Sequence, residues 1–137
     1  EFKNVRLVQV GVRDLCEAEA EMIRNDKRIH CFYDTRIKQR LFNGEYWSIL
    51  CKEIIDALPP KVYISLDIDG LEPQYCPNTG TPVPGGMSFD QLVFLLQALK
   101  NSGKEILGAD LVEVGGEEWD ANVGSRVLWS LVQLLAN

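Results

Sequence analysis

Histidine occurs once in these 137 residues, at His30. A site built from several imidazoles, the usual ligands and proton carriers near neutral pH, is therefore excluded within this chain. The four cysteines, Cys16, Cys31, Cys51 and Cys76, include no C-x-x-C pair. That excludes an ordinary zinc or redox-dithiol motif and leaves buried, reduced thiols of a cytoplasmic protein as the reading. Runs of lysine and arginine are absent: 14 basic residues face 20 acidic ones, for a net charge of −6. Nucleic acid is excluded as a partner on that ground, while a cationic substrate is compatible with it. No apolar stretch approaches the roughly 18 residues that a membrane span requires, and no secretory leader opens the chain. An initiating methionine is missing as well. Glu1-Phe2-Lys3 runs almost directly into a strand, as in a chain entered partway along.

What is present is an alternation of strand and helix patterns. Val5 to Val12 is rich in β-branched residues and reads as a buried strand, closed by Arg13-Asp14. A short helix is expected over Glu17 to Asn25, with Ala18, Met22 and Ile23 near one face, and Ile29 to Tyr33 reads as a second strand. His30 opens that strand and so sits at its amino end, a structural position. Trp47, Leu50, Cys51, Ile54, Ile55 and Leu58 recur at helical spacing until Pro59-Pro60 stops them, and Asn43-Gly44 breaks any helix before them. Lys61 to Ile68 is the third strand. Ser88 and Gln91 form a capping box ahead of a helix bearing Leu92, Leu95, Leu96 and Leu99, with Gly103 as its stop. Glu105 to Val112 is the fourth strand. A last helix starts near Asp120 to Asn122 and carries Val123, Val127, Leu128, Leu131, Val132 and Leu135 on its buried face. Four such β-α units predict an α/β fold: a parallel sheet with right-handed crossovers and helices on both faces.

Ligands of such sheets sit beyond the carboxyl ends of the strands. The residues there are Arg13-Asp14, Asp34, the pair Asp67 and Asp69, and Glu113. A helix cap or a solvated loop accounts for any single acid among them. The pair is different. On a regular strand, residues two apart share a face, so both carboxylates converge, and such neighbours repel unless a cation lies between them. Carboxylate oxygens suit a hard divalent ion such as Mg²⁺ or Mn²⁺.

Ser65-Leu66-Asp67-Ile68-Asp69, with Pro73, Pro77, Thr79-Gly80-Thr81-Pro82 and Gly85-Gly86 following in order, resembles a signature segment of the ureohydrolase family, which includes arginases, agmatinases and formimidoylglutamases. Gly108-Ala109-Asp110-Leu111-Val112-Glu113-Val114 resembles the later strand of that family, and Val10-Gly11-Val12-Arg13-Asp14 an earlier one. The resemblance runs from about Val8 to Leu135. It implies an arginase-like three-layer α/β/α fold, of which residues 1–137 are a single partial domain, the carboxyl-terminal portion. It also implies two manganese ions with Asp67 and Asp69 as ligands, Asp67 bridging, and hydrolysis of a C–N bond of a guanidino or formimidoyl substrate by water activated between the ions. Glu113 would grip the guanidinium, a planar fork that a carboxylate matches. Thr81 is similar in position to a family residue that helps hold that glutamate or the substrate.

Departures bear on these implications. Glu72 stands where the family has Asp before Pro, and Asn78 replaces a small residue. Cys16 lies where arginases carry an acid for the amino-acid end of arginine, so agmatine, another guanidino compound and formiminoglutamate stay open beside arginine. The family's amino-terminal half supplies further ligands, a histidine after Gly-Gly and an Asp-Ala-His-x-Asp segment, that do not occur here. Two aspartates cannot fill two octahedral coordination spheres. The expectation is a chain inactive alone that needs the missing amino-terminal half, a homo-oligomer in solution. The alternative is a non-catalytic ureohydrolase-like binding or assembly module, and the plainest is an α/β domain whose acids only solvate its strand ends.

Overall fold

The computed structural model describes residues 5–136; Glu1-Phe2-Lys3, read above as a chain entered partway, lies outside them. Four strands alternate with five helices: β1 (Leu7–Val12), α1 (Glu17–Asn25), β2 (Ile29–Tyr33), α2 (Asp34–Phe42), α3 (Trp47–Ala57), β3 (Lys61–Asp67), α4 (Phe89–Lys100), β4 (Glu105–Val112) and α5 (Glu118–Leu135). Two 3₁₀ turns, Ile68–Gly70 and Pro73–Tyr75, follow β3. None of the described helices is long and apolar enough to cross a membrane.

All strand pairing is parallel, as the alternation predicts, and it occurs two by two: β1 with β2, and β3 with β4. Each pair carries one irregularity. In β1 the register shifts between Val10 and Val12, where Gly11 takes φ +86°, a conformation open to glycine. In the second pair the shift leaves Leu107 of β4 unmatched between Ile106 and Gly108.

The main core lies around β3 and β4. Ile68, Leu71, Val127 and Leu131 are almost wholly buried there, with Leu92, Leu96 and Leu99 supplied by α4. Each such side chain contributes about 1.5–3 kcal/mol by leaving water. Helix α3 buries Leu50, Cys51, Ile54 and Ile55, the stripe that its spacing predicts. The box at α4 forms as expected: the Gln91 amide donates to Ser88 Oγ, and the Ser88 amide to Gln91 Oε1.

One helix is added to those expected, and three local expectations change. Asp34–Phe42 is helical, capped only by Tyr33 backbone and anchored by one buried apolar side chain, Ile37. Helix α1 buries none of its residues, and Met22 is exposed. Helix α5 begins at Glu118 and buries Val123, Val127, Leu131 and Leu134, whereas Leu128, Val132 and Leu135 face outward. Of the cysteines, all free, Cys51 and Cys76 are buried but Cys16 is exposed and caps α1.

Candidate active site

The carboxyl ends of the strands gather the predicted acids through turn geometry more than through strand alternation. β3 stops at Asp67, so Asp69 lies in the following 3₁₀ turn. The Asp69 amide donates to Asp67 Oδ1 at 3.2 Å, which folds the second carboxylate back beside the first. Asp69 Oδ2 accepts the Thr81 hydroxyl at 2.9 Å. Thr81, expected beside Glu113 or substrate, is thus bonded to the aspartate. Asp67 is open to solvent on one side, yet its carboxyl is pushed above the ordinary range, first by the protein packed beneath it. The negative charges of Asp69 and Glu113 add to that, against the lowering effect of the Asp69 amide.

Glu113 follows the last residue of β4 and takes φ +61°, a left-handed conformation rare for a non-glycine residue. Strain of this kind costs roughly 1–3 kcal/mol and persists only where the surroundings impose it. Here they do: the Thr79 hydroxyl donates to the Glu113 carbonyl at 2.9 Å. The glutamate side chain reaches over Gly80, where a Cβ would come within 2.9 Å of Oε2. Thr79 and Gly80, rather than Thr81, are therefore the loop residues that meet Glu113.

The Pro/Gly-rich segment between Leu71 and Met87 is pinned rather than loose. The Met87 amide donates to the Gly70 carbonyl at 3.0 Å and the Glu72 amide to the Met87 carbonyl at 2.9 Å. Gly86, at φ +97°, passes so close that a Cβ there would sit 2.5 Å from the Leu71 carbonyl oxygen. Asn78 is absorbed into this scaffold: its backbone and side-chain amides both donate to the fully buried Asp120.

Arg13, placed at a strand end by the sequence but given no role there, is the organising residue. Its guanidinium donates to the Val83 carbonyl at 2.8 and 3.0 Å and to the Asp69 carbonyl at 2.6 Å. It thereby ties β1 to both the aspartate turn and the loop, and its charge is spent on carbonyls. Among the described residues, none of the ion pairs involves Asp67, Asp69 or Glu113. Of the other predicted acids, Asp14 is exposed beside Arg13, and Asp34 is buried at the start of α2 against Gly85. His30 is exposed on β2, paired with Val8 toward the amino end of β1.

This donor set fits a hard divalent cation in part. Two oxygen-bearing side chains converge, the nearby glutamate adds negative charge, and no cationic side chain pairs with any of the three. Among the described residues no third histidine, cysteine, aspartate or glutamate joins them to enclose an ion. Asp67 and Asp69 stand at one end of a cleft of about 610 Å³ that runs between β1 and β3. A smaller cavity, about 320 Å³ between α4 and α5, contains none of them.

Comparison with known proteins bears on the chain as a whole. A family model described as "Arginase family" matches residues 2–133. The N(1)-aminopropylagmatine ureohydrolase of Thermus thermophilus is 39% identical over 108 residues, covering 79% of this chain and 34% of that protein. The agmatinase of Proteus mirabilis is 49% identical over 63 residues, 46% of this chain and 19% of that protein. The crystal structure of arginase from Bacillus cereus superposes with a TM-score of 0.76 at 31% identity, over 93% of this chain and 43% of that one. The chain thus spans about a third of the length of the Thermus ureohydrolase it matches.

Proposed function

The chain belongs to the arginase family, with part of that family's α/β fold, and on that premise we infer that it is one wall of a manganese-dependent ureohydrolase. In this reading residues 1–137 are a single partial domain, equivalent to the carboxyl-terminal portion of the enzyme. The observation that carries it is the convergence of two carboxylates: Asp67 Oδ1 accepts the Asp69 amide, Asp69 Oδ2 accepts the Thr81 hydroxyl, and among the described residues no cationic side chain pairs with either.

Asp67 and Asp69 would hold the manganese, with the remaining ligands coming from the portion of the enzyme absent here. Bound manganese supplies Lewis acidity, which makes water nucleophilic near neutral pH. The chain's own residues do the positioning. Thr81 fixes the rotamer of Asp69, and Arg13 holds its backbone. Glu113 presents a carboxylate to the planar guanidinium of the substrate, a pairing that sets orientation as well as affinity. The substrate class is a guanidino or formimidoyl compound whose C–N bond is hydrolysed, releasing urea from a guanidine. The setting is cytoplasmic. Helix α5 leaves Leu128, Trp129 and Val132 exposed, which favours an oligomer, to be checked by light scattering.

A chimera tests the reading: the matching segment of the Thermus ureohydrolase is replaced by this chain, and urea release and bound manganese are measured together. The expected result is turnover that Asp67→Ala or Asp69→Ala lowers at least about a thousandfold, with manganese lost in parallel. Unchanged turnover in both variants would contradict the ligand assignment. A folded chimera without stoichiometric manganese would favour a non-catalytic assembly module instead.

A further inference from the structure

Asp120 is a buried carboxylate that no cation compensates. It is 0% exposed, and among the described residues no lysine or arginine pairs with it. Taking a carboxylate out of water carries a desolvation penalty that a neutral side chain of similar size avoids. Its place in the first turn of α5, where the helix dipole favours an anion, offsets only part of that. Both of its oxygens serve one residue. Oδ2 accepts the Asn78 backbone amide at 2.9 Å, and Oδ1 the Asn78 side-chain amide at 3.1 Å. Asp120 therefore fixes the backbone and the rotamer of a single loop position.

Glu113 is the second residue whose state the local sequence does not favour. Among the described residues it is the one non-glycine at positive φ, +61°. Its carbonyl accepts the hydroxyl of the buried Thr79, the neighbour of Asn78, at 2.9 Å. Two glycines let the segments meet this closely. A Cβ on Gly115 would come within 2.5 Å of Asp120 Oδ2 and 2.7 Å of the Asn78 carbonyl oxygen, and one on Gly80 within 2.9 Å of Glu113 Oε2. On the far side of Glu113, Val114 packs on Gly124 of α5, where a Cβ would meet it at 2.8 Å. A strained backbone persists only where its surroundings over-determine it. Here the determining contacts run through two consecutive loop residues, and they end on the uncompensated buried acid.

We propose that Asp120 is the positioning residue of Glu113. Through Asn78 and Thr79 it holds the left-handed backbone that carries the glutamate carboxylate over Gly80 to face a guanidinium. The guanidinium rests on the reading of the chain as part of a ureohydrolase; the coupling of Asp120 to the Glu113 backbone does not. Asp120→Asn would keep one of the two bonds and set amide against amide at the other. Exchanging the pair, Asn78→Asp together with Asp120→Asn, restores both, with donor and acceptor reversed between the side chains.

NMR of the 137-residue chain tests the coupling. A left-handed residue holds its own amide and Hα protons closer together than a negative φ does, so Glu113 should show a strong intraresidue contact. Asp120→Asn is expected to lose that contact and the exchanged pair to regain it. A folded Asp120→Asn chain that keeps the contact, or a folded exchanged pair that lacks it, overturns the proposal. Should Asp120→Asn not fold, Thr79→Val decides, because it leaves both Asp120 bonds in place and cuts the last link. Loss of the contact there supports the proposal and its retention overturns it. In the Thermus chimera, Asp120→Asn should raise KM for agmatine about tenfold, with kcat changed less and bound manganese unchanged, and the exchanged pair should reverse this. Manganese lost together with affinity would mean general damage rather than positioning, and overturns the assignment. A chimera without any turnover counts against the catalytic reading alone, since the NMR result stands without it.

Discussion

Replacing Arg13 by methionine keeps most of the side-chain stem and removes every guanidinium donor, and its cost can be worked from the contacts. The Val83 carbonyl accepts two bonds and the Asp69 carbonyl one, all within 3.0 Å. The contacts to Leu71 and Gly11, at 3.3 and 3.5 Å, are too long to weigh equally. A hydrogen bond with one charged partner contributes about 1.5–3 kcal/mol net. Arg13 is only half-buried and water can reach the orphaned carbonyls, so the low end applies. Two such carbonyls give a loss of about 3 kcal/mol. With a urea m-value near 2 kcal/mol/M, the unfolding midpoint should fall by about 1.5 M at constant slope. Arg13→Lys should recover about half of that, because an ammonium can serve one carbonyl but not the fork. Amide exchange should quicken between Thr81 and Met87 in the methionine variant. A midpoint shift below about 0.3 M would refute the claim that this guanidinium holds the loop to the aspartate turn.

Gly86→Ala should destabilise by more than about 3 kcal/mol, since the new methyl meets both a positive φ and the Leu71 carbonyl; calorimetric unfolding reads it. Glu113→Asn should raise stability by about 1 kcal/mol in a denaturant melt, because asparagine tolerates the left-handed backbone that glutamate resists. Thiol labelling at pH 8 should modify Cys16 quickly. Cys51, whose thiol burial pushes up to about 11, should stay unlabelled until the chain unfolds, as read by mass spectrometry of digests.

Much of the fold was legible because the strong signals were local. The α3 stripe and the Ser88–Gln91 box each lie within one element, and both formed as read. Helix α2 escaped because DTRIKQRLF lacks a side-chain cap and buries only Ile37 among its apolar residues. In α5 apolar residues occur on more than one side, so periodicity alone could not choose between Leu134 and Val132 for the core. At the site, Asp67 and Asp69 announced themselves by spacing, although a turn rather than the strand brings them together. Arg13 did not, since its partner Val83 lies 70 positions away. The cleft was equally hidden: local pattern predicts that strands exist, and only tertiary structure decides which edges pair.

The central claim, that Asp67 and Asp69 are metal ligands, is tested most directly by titrating the 137-residue chain with Mn²⁺ and following its amide NMR spectrum. Paramagnetic broadening should begin at Asp67, Asp69, Gly70 and Thr81, and Asp67→Asn with Asp69→Asn should abolish it while the remaining spectrum stays folded. Broadening that starts elsewhere, or that survives the double substitution, would contradict the account.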